Sequence, residues 1–272
     1  MPVISTNTAA NTAVRYLNVN SAQESSSLAK LSSGSKINKA SDDAAGLAIS
    51  TRISSDITTL QQAATNASQA SSILQTADGG ASNISDILAR MKSLATQSSS
   101  GTVTDDSRAY IDSEFTQLVE EIDSIASGTR YSSTSLLNGD FTDTKIMVGT
   151  DSTDTITMSL ANLTSTSLGF SATSTIGTQA DATTMLTTID AAIDTVSGAR
   201  ADIGALESRF NFSADSISTQ TENLEAANSA ITDVDIASEQ AKLSASEVKV
   251  QAAVSAESAA NQMPQYLLKL LG

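Results

Sequence analysis

The sequence predicts a mainly α protein, an elongated antiparallel helical bundle or coiled coil with a small β-hairpin region. Apolar residues recur by threes and fours over stretches far longer than a globular helix. Only 3% of residues are aromatic and Trp is absent, while Ala, Ser and Thr fill much of the chain, a composition suited to helices packed closely along narrow seams. One central segment alone alternates apolar and polar residues.

Near the N-terminus two lines of residues seven apart form a seam: Val3, Ala10, Leu17 and Leu31 on one, Val14 and Leu28 on the other, with Ser21 and Glu24 as polar interruptions. Gly34 follows "LAKLSS", where a glycine in the left-handed region ends a helix. A second helix is expected from Ser41 to about Ser98. Its stripe runs through Ile53, Ile57, Leu60, Ala64, Ala67, Ser71, Leu74, Ala77, Ala81, Ile84, Leu88, Met91 and Ala95. At ~1.5 Å per residue it is roughly 90 Å long, which implies a rod or bundle. Gly79-Gly80 costs about 1 kcal/mol per residue relative to Ala, so a weak point or slight bend is expected there, with the helix continuing because the apolar phase is kept.

After "SSSGTVTDDS" a third helix is expected from about Asp106 to Ala126, folding back antiparallel with Ile111, Phe115, Leu118, Ile122 and Ile125 on one face. "TKIMVG" and "DTITMSL" alternate around the loop "TDSTD", which predicts a hairpin. The remainder of Ser127 to Ala182 reads as turns and loops. Helical pattern resumes from about Ala182 with Leu186, Ile189, Ile193, Val196, Ala199, Ile203, Leu206, Phe210 and Ile217. Further on, Leu224, Ile231, Ala245, Ala252 and Ala259 share one heptad line, and Ala227, Val234, Ala241 and Val248 share its partner. Alanines bury little area at ~25 cal/mol per Å². Both termini are therefore weak seams, best completed by pairing with each other or with neighbouring subunits.

Composition excludes several kinds of function. Cys and His are both absent, which removes disulfides, thiolate nucleophiles, imidazole bases and ordinary zinc sites. The formal net charge of −15 opposes binding to nucleic acid or to an anionic membrane surface. No run approaches the ~20 apolar residues of a membrane span. The N-terminal stretch lacks the basic start and apolar run of a cleavable signal, so the expectation is a cytoplasmic chain or one exported without a classical signal. Asp42 and Asp43 pose the question of a metal or acid/base pair. Adjacent helical residues diverge by about 100°, and the expectation is that Ser41 caps the second helix while the two acids oppose its positive end. No cofactor is expected.

"LSSGSKINKASDDAAGLAIS" (Leu31 to Ser50) resembles the N-terminal pattern of bacterial flagellins, and "ILARMKSLATQSSSGT" (Ile87 to Thr102) resembles the family's next characteristic segment. "TRYSSTSLLNG", "IGALESRFNFS", "AITDVDIASE" and "ANQMPQYLLKLLG" continue the series in order. The resemblance covers about residues 1 to 139 and 195 to 272, which implies a short form without large central outer domains. It implies residues 1–40 and 236–272 as the two parts of an inner coiled-coil domain. Residues 41–181 would be the long helix, return helix and hairpin of an outer rod domain, and 182–235 its C-terminal helix.

The implied function is a structural subunit that polymerises into the bacterial flagellar filament used for motility, with no catalytic site. The family implies export, unfolded, through the flagellar type III apparatus, a secreted location in the filament, and termini that order on assembly. Its partners would be further copies of the chain, an export chaperone, and hook-associated junction and cap proteins. Alternatives are a hook-filament junction protein of the same superfamily, a carboxylate-dependent hydrolase, which requires paired acids in a cleft, and a non-flagellar coiled-coil adhesin.

Leu17, Leu28, Leu31, Val248 and the helix after Pro264 with Leu267, Leu268 and Leu271 are the candidate filament-core residues. Gly34, Ser41, Asp42 and Asp43 form the candidate joint between inner coil and outer rod. Arg90, Leu94 and Glu114 match positions that contact the flagellin-sensing Toll-like receptor in many flagellins.

Overall fold

The structure is a computed structural model that describes residues 6–171 and 173–271, with the side chains of 264 and 266–271 outside the description. Its elements in chain order are α1 (Thr8–Ser33), α2 (Ala44–Ser99), α3 (Asp105–Gly128), β1 (Arg130–Tyr131), β2 (Thr134–Ser135), β3 (Thr144–Met147), β4 (Thr155–Met158), α4 (Gln179–Thr232) and α5 (Ile236–Leu271). Contacts divide the chain into a terminal unit, Met1–Ser55 with Asn223–Gly272, and a central unit, Asp56–Glu222.

The central unit has one apolar core. The α2 stripe supplies Ala67, Leu74, Ala81, Ile84, Leu88 and Met91, and α4 supplies Ile189, Val196, Ile203 and Phe210. Arg200 of α4 and Asp78 of α2 form a two-pronged ion pair at 2.8 and 3.3 Å, and Lys92 reaches Asp190 at 2.6 Å. These pairs give α2 and α4 an antiparallel register. Thr104 caps α3, its side chain accepting from the Ser107 N–H, and Asp105 and Asp106 oppose the helix dipole in the first turn. Phe115 of α3 is fully buried and meets Phe170 edge to face, with ring centroids 6.3 Å apart.

The expected hairpin is present as β3 and β4, antiparallel with Ile146 opposite Ile156. A second, shorter strand pair, β1 with β2, was not legible in the sequence. Its turn is closed by Ser132, whose φ of 58° lies in the left-handed region without the Asn-Gly signal that advertises such turns. The segment read as turns and loops is irregular but buries Leu160, Leu163, Leu168, Phe170 and Ile176 in the core. Two carboxylates of α3 fix it there. Asp112 accepts from the Ile176 N–H (2.7 Å) and the Thr175 hydroxyl, and Asp123 accepts from the backbone and hydroxyl of Ser165.

Helix α2 runs through Gly79 and Gly80 without interruption. The two glycines differ in what surrounds them. A Cβ on Gly79 would meet nothing within 4 Å, whereas one on Gly80 would lie 2.5 Å from Thr129 Oγ1 and 2.8 Å from Leu137 Cδ1. Gly80 is thus the point where the segment after α3 presses against the helix backbone. Gly79→Ala is expected to stabilise the protein by about 0.5–1 kcal/mol through helix propensity, and Gly80→Ala to destabilise it by about 1–3 kcal/mol through overpacking. Thermal unfolding of the two variants side by side checks this, and shifts of the same sign would contradict it.

In the terminal unit α1 ends at Gly34, which takes the left-handed conformation (φ 72°). The expected start of α2 at Ser41 is corrected. Residues 41 and 42 lie in a turn, and α2 begins at Ala44 with Asp43 as its cap, the Gly46 N–H donating to Asp43 Oδ1 at 2.9 Å. The other acid turns back, and Asp42 Oδ2 accepts from the N–H groups of Asn38 (3.1 Å) and Lys39 (3.0 Å). Those two bonds hold the Asp42 carboxyl below the usual carboxylate range. An Asp cap competes well with a Ser cap, and the backbone turn formed by Asp42 leaves Ser41 upstream of the helix.

Candidate assembly surface

The terminal unit pairs α1 with α5. The residues turned inward on α1 are Ala10, Ala13, Leu17, Asn20, Glu24, Ser27 and Leu31, and those on α5 are Glu239, Leu243, Ser246, Val250, Ala253, Glu257 and Ala260. Both sets alternate steps of three and four, the a/d pattern of a two-stranded coil. The inner seam is therefore small and polar. Buried Ser27 donates to Glu239 Oε1 at 2.8 Å, and Lys242 Nζ donates to Oε2 at 2.9 Å.

The sequence-level lines are corrected in phase. Leu17 and Leu31 lie on the pairing seam, but Val14 and Leu28 stand one position beyond the inner line of Ala13, Asn20 and Ser27, and Leu28 is 58% exposed. Both lines read on α5 fall outside the pair, and Val248 is 69% exposed. They also do not run unbroken from Leu224 to Ala259, because the helix stops at Thr232 and restarts at Ile236. The outward faces additionally carry exposed Tyr16, Val19, Ile236, Val254 and Met263. A two-stranded contact consumes a and d positions only, so the apolar residues one step away remain uncovered in the single chain.

Leu267, Leu268 and Leu271 lie outside the described side chains.

Gly34, Ser41, Asp42 and Asp43 lie in the connection between α1 and α2, which is bonded to the connection between α4 and α5. The Lys36 N–H donates to Thr232 O at 2.6 Å, the Val234 N–H donates to Gly34 O at 3.0 Å, and Ser35 bridges Asp233. Asp235 caps α5 by accepting from the N–H groups of Ala237 and Ser238. This cap was legible in principle, since Asp precedes an apolar residue at a helix start, but the heptad line obscured it. Both acids of the Asp42-Asp43 pair are engaged by backbone amides. Among the described residues no group of three or more Asp, Glu, His or Cys is arranged to hold a metal ion.

The hydrogen bonds from Lys242 and Ser27, with the nearby charges of Lys242 and Lys30, hold the Glu239 carboxyl below the ordinary glutamate value of 4.5. A carboxyl depressed in the native state stabilises it above that value, and the contribution is lost as pH falls below it. Acidification is expected to loosen α1 from α5, and Glu239→Gln to reduce that pH dependence. Amide exchange along α1, followed on acidification, measures it; superimposable pH profiles for the two proteins would exclude the role.

In the central unit Arg90 and Glu114 form an exposed ion pair at 2.6 Å that joins α2 to α3. Leu94 does not share their exposure. It is turned into the core and 2% exposed, because it lies three residues after Met91 on the buried stripe.

Residues 4–142 match the family profile of the bacterial flagellin N-terminal helical region, and residues 186–271 match that of the C-terminal helical region. The chain belongs to the flagellin family. It is 35% identical to a flagellin of Halalkalibacterium halodurans over 270 residues, 99% of each chain, and 35% identical to a flagellin of Listeria monocytogenes over 94% of each. It is 33% identical over 99% of each chain to a flagellar filament core protein of Treponema maltophilum. Among solved structures, the crystal structure of Bacillus cereus flagellin is similar with 32% identity and a TM-score of 0.52, covering 60% of this chain and 94% of that one. A putative flagellar hook-associated protein from Vibrio parahaemolyticus shares the fold at 16% identity and a TM-score of 0.58, over 71% of this chain and all of that one. This flagellin is a structural subunit that polymerises with itself into a filament, and not an enzyme. The filament that its relatives form is extracellular. The near-full coverage of short relatives fits a short form with no large central insertion.

Proposed function

We propose that the α1 and α5 helices are the filament-core assembly elements of this flagellin, with a division of labour between their faces. Leu17 and Leu31 hold the pair within one subunit, while Leu28 and Val248 face neighbouring subunits. The observation that carries this reading is that the seam gives buried places to polar Ser27, Glu239 and Ser246 while Leu28, Val248 and other large apolar residues of the two helices stay exposed. Such a pair is weak alone. Ordering its backbone costs about 1–2 kcal/mol per residue, and burial of the outward apolar residues between copies supplies the opposing term at ~25 cal/mol per Å².

The same balance supports export of the chain unfolded through the flagellar type III apparatus. An export chaperone would cover the apolar faces before assembly, with growth behind hook-associated junction and cap proteins. The bonded connections around Gly34 and Asp233 would be the joint from which the core helices depart, with Asp42 and Asp43 setting the turn. Adding the purified chain to short filament seeds and following length by electron microscopy tests the reading. Long filaments are expected; a short zone that stops growing would instead indicate a junction protein.

A second reading concerns the flagellin-sensing Toll-like receptor. It is favoured by the exposed Arg90–Glu114 pair, which offers a positive and a negative group on adjacent helices, with Leu94 acting beneath as a packing residue.

A further inference from the structure

We propose that Asn162 is an N-linked glycosylation site, at which a glycosyltransferase attaches a hexose supplied as its nucleoside diphosphate. The sequence holds four Asn-X-Ser/Thr triplets, beginning at Asn66, Asn83, Asn162 and Asn211. A transferase that reads this triplet engages both the asparagine amide and the hydroxyl two residues on, so its acceptors belong in exposed loops. The fold separates the four triplets by that requirement.

Asn66 and Asn83 lie within α2, and Asn211 lies within α4. On a helix each residue is turned about 100° from the one before, so Ser68, Ser85 and Ser213 stand on nearly the opposite side from their asparagines. Asn66 is also occupied. Its amide nitrogen donates to Met147 O at 3.2 Å, and its Oδ1 accepts from Gln62 at 3.1 Å.

Asn162 lies in the irregular segment between β4 and α4 and is exposed. There the amide and the hydroxyl come together. The Thr164 hydroxyl donates to Asn162 Oδ1 at 2.8 Å, and the Thr164 N–H donates to the same oxygen at 3.0 Å. Between them Leu163 anchors the turn, its side chain fully buried and its N–H donating to Leu137 O at 2.8 Å. Nδ2, the atom to be substituted, donates to none of the described residues. Space is kept beside it by Gly139, where a Cβ would stand 3.0 Å from Nδ2 and where a φ of 92° favours glycine.

An amide nitrogen is a poor nucleophile, because its lone pair is delocalised into the carbonyl. Two hydrogen bonds to Oδ1 draw charge onto the oxygen and make an Nδ2 proton easier to remove. In the transfer Nδ2 bonds to the anomeric carbon of the sugar, and the bond from that carbon to the diphosphate oxygen breaks. The nucleoside diphosphate leaves with the electron pair, and the amide releases one proton to a base of the transferase.

The purified, folded chain is incubated with UDP-glucose and a soluble asparagine-glucosylating transferase of Asn-X-Ser/Thr specificity, then mapped by peptide mass spectrometry. One hexose is expected at Asn162, and none at Asn66, Asn83 or Asn211. Asn162→Gln and Thr164→Ala are each expected to abolish the gain while leaving the helicity unchanged, and Thr164→Ser to retain it. The chain isolated from its own cells is expected to carry sugar on the same peptide, lost in Asn162→Gln. A bare Asn162 in that chain, or sugar on the helical asparagines of the folded chain as readily as on Asn162, would overturn the proposal. Neither result bears on the filament reading, which seeded growth tests separately.

Discussion

A chain cut to residues 41–239 is expected to remain a folded helical monomer and to lose all elongation of filament seeds. The core of Asp56–Glu222 is complete within itself, with Leu74, Leu88, Phe115, Ile189 and Val196 buried by residues of that same unit. None of them depends on α1 or α5 for cover. The truncation removes α1 together with nearly all of α5, and so both the inner seam and the outward residues Leu28 and Val248. Circular dichroism and sedimentation read the fold and the monomer, and electron microscopy after seeding reads the polymer. Filaments growing as readily as those of the intact chain would remove the assembly role from the termini.

Phe115→Ala is expected to be the most damaging single truncation of the central core, at about 3–5 kcal/mol. The ring is fully buried and packs edge to face on Phe170, a contact worth about 0.5–1.5 kcal/mol beyond its area. Its loss also undermines the irregular segment that Asp112 and Asp123 hold against α3. For a unit of this size about 2–4 °C of Tm is lost per kcal/mol, so a fall of roughly 6–20 °C is expected in a thermal melt. A loss below about 1 kcal/mol would mean that the segment from Ser159 to Thr178 collapses into the space and that α3 does not depend on the ring. Leu137→Ala, also buried, tests the same core where it meets Gly80 and is expected to cost about 2–5 kcal/mol.

Legibility followed physical range. The α2 stripe was readable because every third or fourth residue of one continuous helix meets the same core, so local spacing and tertiary burial coincide. Gly34 was readable because a helix-ending glycine acts through its own backbone. The β1–β2 pair was not, since Ser132 is held at positive φ by its surroundings and not by its own preference. Leu163, Phe170 and Ile176 had no periodicity to betray them; carboxylates far away in the chain fix them in the core. For the candidate surface, the heptad lines put Leu17, Leu31, Leu28 and Val248 on seams alike, and the structure turns the first two towards the α1–α5 pairing and leaves the other two exposed. Apolarity locates a residue that needs covering, but it does not say whether the cover comes from the same chain or from another.

By itself the sequence determined the helical class, the hairpin, the lack of thiol and imidazole chemistry, and, through its ordered motifs, the family. Those rest on local periodicity, composition and residue identity, which folding does not change. Only the tertiary structure decided that the pairing of α1 with α5 buries Ser27 and Glu239 while Leu28 and Val248 stay exposed, that Leu94 is buried beside exposed Arg90, and that Asp43 and not Ser41 opens α2. Each of these depends on which of several adjacent helical faces, or which of two adjacent capping groups, meets a partner. A rotation of about 100° per residue separates the alternatives, and the energies that choose between them come from contacts with residues distant in the chain.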